Sequence, residues 1–124
     1  MEKSYTLTMC ILMVHQIDAA FWQEWEMFFL PGGIQGFLIF NILIIPVVLF
    51  GYKQVLLKTS KSTKYSYFCA GLGLFTFTIH TVFYLLGNNQ FTLPLSALLI
   101  ILCLPAAIWQ IVQTRGQAHA EQAV

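Results

Sequence analysis

Charge is the scarcest commodity in this sequence: only 9% of its 124 residues are Asp, Glu, Lys or Arg, against about a quarter in an ordinary soluble domain. Water is therefore not the solvent for most of the chain. With 58% hydrophobic residues and a mean hydropathy of +0.74, its composition suits a bilayer. A net charge of +1 provides no basic face to neutralise phosphates, which argues against nucleic acid as a partner. Cysteine is sparse and unpaired. Cys10, Cys69 and Cys103 lie in apolar segments, form no C-x-x-C pair and read as small buried hydrophobes.

No cleavable leader is expected either. Lys3 precedes the apolar run Leu7 to Val14, and Leu7-Thr8-Met9-Cys10 faintly resembles a lipoprotein cleavage site. Met9 is too large to precede such a cysteine, and the run ends in Phe21-Trp22 rather than in small residues, so it reads as a mature helix. There is no convincing internal repeat. Four spans of roughly 20 residues would use nearly the whole chain and leave little for a soluble catalytic domain.

What is present divides into four apolar segments within a single transmembrane domain. The expected fold is all-α, an integral membrane four-helix bundle running up-down-up-down, with helices at about 5–29, 34–57, 65–86 and 92–113. The first ends in Phe21-Trp22-Gln23-Glu24-Trp25-Glu26, where aromatics and acids mix as they do at a membrane interface, and Pro31-Gly32-Gly33 turns the chain. The second carries Pro46, whose missing N–H frees the carbonyl of Ile42. The third closes at Gly87-Asn88-Asn89, suited to a helix C-cap, and contains Gly71 and Gly73, suited to close packing. The fourth opens with Pro94 and contains Pro105. Residues 114–124 read as a polar, disordered tail.

Lys53, Lys58, Lys61 and Lys64 gather around a polar loop at 58–64, the only charge run. With four spans, these lysines, Lys3 and Arg115 all fall on one side. The positive-inside rule then puts both termini and the loop in the cytoplasm, with lipid head groups as the lysines' partners.

Ionisable residues inside a membrane are costly and so are candidate functional groups. Here they are His15, Asp18 and His80. On a regular helix His15, Asp18, Trp22, Trp25 and Glu26 share one sector, whereas Glu24 points to the opposite side. Counting ~1.5 Å per residue from the outer turns sets His15, Asp18, Asn41 and His80 roughly 9 to 14 Å deep, with Ser96 slightly shallower.

The leading expectation is a non-enzymatic bundle with an outward-half pocket lined by His15, Asp18, Trp22, Asn41 and His80. It would serve ligand binding, transport or assembly, as a homo-oligomer or a subunit of a membrane complex, without a cofactor. Glu24, Trp25, Glu26 and Gln35 are secondary positions, and interfacial anchoring is the preferred reading of Trp22, Trp25 and Glu26 over substrate contact. The rival is a redox protein or enzyme, with His15, Asp18 and His80 ligating a metal ion, or the two histidines holding a b-type haem. Proton relay, or simple hydrogen bonding that keeps the helices in register, would use the same residues.

His15-Gln16-Ile17-Asp18, Trp22-Gln23-Glu24-Trp25-Glu26-Met27-Phe28, Pro31-Gly32-Gly33-Ile34-Gln35 and Ile79-His80 resemble an uncharacterised family of small bacterial multipass membrane proteins with H-x-I-D, W-x-E-W and P-G-G motifs. The resemblance covers almost the whole chain. It implies a four-helix fold in the bacterial inner membrane and a role for His15, Asp18, Trp22, Glu24, Trp25 and His80, but no activity. Glu24 is the point of conflict with the helical wheel. Either the first helix changes pitch near Phe21, or Glu24 acts elsewhere, such as at the Gly32-Gly33 turn.

Overall fold

A computed structural model describes residues 1–88 and 90–122 of the chain. Its regular structure is entirely helical among the described residues: α1 (Glu2–Phe21), α2 (Glu24–Met27), α3 (Gly33–Leu56), α4 (Ser62–Leu85) and α5 (Pro94–Gln122). Helices α3, α4 and α5 are long and apolar enough to cross a membrane. Helix α5 packs along α4 and α1, and α3 packs on α4.

Much of the exposed helix surface is apolar, and several polar side chains are buried beside the apolar core. Helix α1 buries Ser4, Thr8 and His15 while presenting Leu7, Val14, Ile17 and Phe21 outward. Helix α3 likewise exposes Ile39, Ile42 and Leu43. An apolar solvent accounts for this, because there the polar side chains are the ones that gain from facing protein. Cys69 and Cys103 are buried as expected, but Cys10 lies on the exposed face of α1.

The helix ends carry the main correction to the sequence reading. The first segment does not run as one helix to residue 29. It stops at Phe21, Gln23 adopts the left-handed conformation at φ 55°, and its N–H bonds to the carbonyl of Ala20. The single turn α2 follows and ends in the same way, with Phe29 at φ 54° and the Leu30 N–H on the carbonyl of Trp25. Lys58 repeats the device after α3 and Gly87 after α4, where the Gly87 and Asn88 amides close on Tyr84 and Phe83. These closures satisfy carbonyls that a helix end otherwise leaves unpaired. Gly87-Asn88 thus caps α4 as its composition suggests; Asn89 lies outside the described residues.

Two further expectations change. Helix α5 continues through most of the expected tail, because Gln, Ala and Arg sustain a helix; residues 123 and 124 lie outside the described residues. Gly73 does serve close packing, since a Cβ there would press on Ala107 and Thr8, but Gly71 faces open space.

Two buried layers result. One, around Tyr5, Leu12, Val48, Cys69 and Cys103, holds the half of the structure nearer the lysines, where the Tyr5 hydroxyl donates to the Val48 carbonyl at 2.7 Å. The other gathers Ala19, Met27, Phe37 and Phe91 at the Pro31 end, around the polar groups described next.

Candidate metal centre

The break at Gln23 decides the chemistry. On a continuous helix Glu24 would face away from His15, but the left-handed residue re-aims α2 and folds Glu24 back under the end of α1. Its Oε1 lies 3.0 Å from Nε2 of His80 and 3.9 Å from Nε2 of His15, and the two imidazole nitrogens are 3.1 Å apart. All three residues are buried, at 0%, 6% and 5% exposure for His15, Glu24 and His80.

Asp18, expected as the carboxylate of this cluster, is elsewhere. Its Oδ1 accepts a 2.8 Å hydrogen bond from Ser96 Oγ, which in turn accepts from Trp22 Nε1 at 3.1 Å. The chain Trp22–Ser96–Asp18 fastens α1 to α5. Ser96, foreseen only as a shallow polar group, is its hub.

Asn41 does not reach the histidines through its amide nitrogen, which donates to the Phe37 carbonyl of its own helix at 2.9 Å. Trp25 packs on Phe37 with ring centroids 5.5 Å apart and lies against Gly33. Glu26 and Gln35 are exposed and take no part.

Aromatic rings pack against the centre, and sequence reasoning did not single them out. Phe91 packs against both imidazoles, with centroids 5.7 Å from His15 and 4.6 Å from His80, and Phe28 lies 5.6 Å from His80. Phe91 reaches this position with φ at 60°, a strained conformation for an aromatic residue that its burial supports. Two cavities flank the centre: one of about 280 Å³ shares Glu24 as a wall, and one of about 310 Å³ shares His80.

His15, Glu24 and His80 offer three ligand atoms to a single point. The circle through two Nε2 atoms and one Oε1 with these separations has a radius of about 2.0 Å, which matches zinc–nitrogen and zinc–carboxylate bonds of ~2.0–2.2 Å. A tetrahedral ion at such lengths holds its ligands about 3.3 Å apart, and the three separations bracket that value. A b-type haem does not fit. Its axial histidines stand on opposite sides of a macrocycle, whereas here a carboxylate and the rings of Phe28 and Phe91 crowd the two imidazoles. The outer shell is incomplete on one side, because Nδ1 of His15 is buried without a hydrogen-bond partner.

An all-helical chain with three helices able to cross a membrane and a buried His-Glu-His triangle defines the class: a helical membrane-type protein with a candidate metal centre. The model of a family of unknown function, DUF6713, matches residues 1–117, and the chain belongs to that family. No curated protein and no solved structure matches the chain.

Proposed function

We propose that this protein is a multipass membrane protein that binds one divalent transition-metal ion at His15, Glu24 and His80, with zinc the best geometric match. The observation that carries the reading is the triangle itself: three buried ligand atoms equidistant from a point at zinc bond length. One ion would give Nε2 of His15, Nε2 of His80 and Oε1 of Glu24 a common partner. Three protein ligands leave a fourth coordination position for water or another molecule, the pattern of ions that act on something rather than merely brace a fold.

In this reading α1 is a fourth span despite its polar residues, because Ser4, Thr8 and His15 face protein while Leu7, Val14, Ile17 and Phe21 face outward. The four long helices run up-down-up-down, with both termini and the lysines in the cytoplasm of a bacterial cell and the metal centre in the outer half of the inner membrane. The H-x-I-D and W-x-E-W motifs supply His15 and Glu24, and P-G-G supplies the turn that follows them.

Elemental analysis of detergent-purified protein tests the metal. About one ion per chain is expected after incubation with zinc and removal of excess. Less than a tenth of an ion per chain, for zinc and every other first-row metal, would sink the proposal. Topology has a separate test in a cysteine-free background. An impermeant maleimide applied from outside should label Asn88→Cys and spare Lys61→Cys; the reverse pattern would invert the orientation.

A further inference from the structure

The 280 Å³ cavity beside the metal centre is lined mainly by apolar side chains of α1, α3 and α4, among them Leu12, Ile44 and Leu72. Its polar groups are few: Gln16, Glu24, Asn41 and Thr76. They are not spread evenly. Counting from the Pro31-side ends of α1, α3 and α4 at ~1.5 Å per residue, Gln16 and Asn41 lie about 8 and 12 Å deep, while Met9, Val48 and Leu72 lie about 18 to 22 Å deep. The cavity is thus polar towards one end and apolar towards the bundle's middle.

Its polar end is short of donors. Asn41 is more than nine-tenths buried. Its amide orientation is fixed, because the Phe37 carbonyl it meets can only accept. That leaves Asn41 Oδ1 buried with no partner, and Gln16 Oε1 is likewise buried and unpaired. A buried acceptor without a donor is costly, so an occupant that supplies an O–H is favoured over one that does not. An anionic head would face the Glu24 carboxylate. A cavity of this volume sits at or below the small end of ligand sites and suits one chain rather than two.

We propose that this cavity binds a single-chain apolar molecule bearing a neutral hydroxyl head, with the hydroxyl donating to Asn41 Oδ1 beside Glu24. The inference deepens the metal reading by naming the chemistry of what would lie next to the ion, and rests on that reading only for the role of Glu24.

The test uses the full-length protein in phosphatidylcholine nanodiscs and a diazirine-bearing dodecanol as photoprobe. Cross-links mapped by mass spectrometry should concentrate on Leu12, Ile44 and Leu72. Unlabelled 1-dodecanol should compete at least tenfold better than dodecane, since an unpaired buried acceptor discriminates by about that factor. Asn41→Leu should abolish the preference, and Ile44→Trp should remove cavity labelling by filling the space. Labelling spread evenly over lipid-facing residues, equal competition by dodecane, or stronger competition by dodecylamine would overturn the proposal. Metal content measured on the same samples separates the two readings. Asn41→Leu should keep its ion while losing hydroxyl selectivity, and a metal-free wild type that retains selective labelling would refute the metal centre alone.

Discussion

Glu24→Gln is expected to lower zinc affinity at least a hundredfold, whereas Asp18→Asn should leave metal content unchanged. Even outer-shell partners of a metal site are worth about 10- to 100-fold in affinity, and Glu24 would be a direct ligand that supplies the only negative charge in the triangle. The amide keeps the shape of the side chain, so loss of the ion reports charge and coordination rather than packing. Asp18 is the control because it is also an acid facing the bundle, one turn from His15, yet its Oδ1 is committed to Ser96. Converting that charge-assisted bond to a neutral one should cost about 1 kcal/mol of stability and no metal. A chromophoric chelator competed against each purified variant measures both affinities. Thermal unfolding adds a second readout: free zinc at 1,000 times Kd stabilises a native site by about 4 kcal/mol, and Glu24→Gln should forfeit that gain. If Glu24→Gln binds zinc as the wild type does, or Asp18→Asn loses it, the ligand set is wrong.

The same contrast shows how far the sequence could be read. Three apolar helices were legible because hydropathy is a property of residues in any order. The meeting of His15 with His80 was legible because both fall in the half of the chain's helices nearer the Pro31 turn, and Ser96 could be placed at a similar height. Glu24 was not, because the helical wheel assumes an unbroken helix and the break falls on Gln23. Glycine marks such a position in sequence; glutamine does not. Phe29 and Phe91 hide their left-handed conformations in the same way, and nothing in the sequence marks Phe91 as a ring packed against both imidazoles. The motif W-x-E-W, with an acid set among aromatics, was the available signal that residue 24 faces inward.

Gly36→Ala tests whether the turn after α2 is what holds Glu24 in place. A Cβ at Gly36 would collide with the backbone carbonyl of Pro31, which cannot move aside as a flexible side chain would. Pro31 is in turn bound closely to α2: the next residue back, Leu30, donates its N–H to the Trp25 carbonyl at 2.8 Å, and Gly33 lies against the Trp25 indole. Pushing Pro31 away must therefore either break those contacts or shift the turn that carries Glu24. Overpacking of this kind typically costs 1–3 kcal/mol. A ligand displaced by about 1 Å leaves a site too loose to hold its ion, so zinc affinity should fall at least tenfold alongside the loss of stability. Gly71→Ala is the matching control. It too replaces a helical glycine, but no atom lies near its Cβ, so it should leave metal binding intact and raise stability by up to about 1 kcal/mol through helix propensity alone. A Gly36→Ala protein that melts lower yet binds zinc at wild-type strength would show that α2 is positioned by its own packing on Phe37 and His80. The Pro31–Gly36 turn would then serve only to reverse the chain.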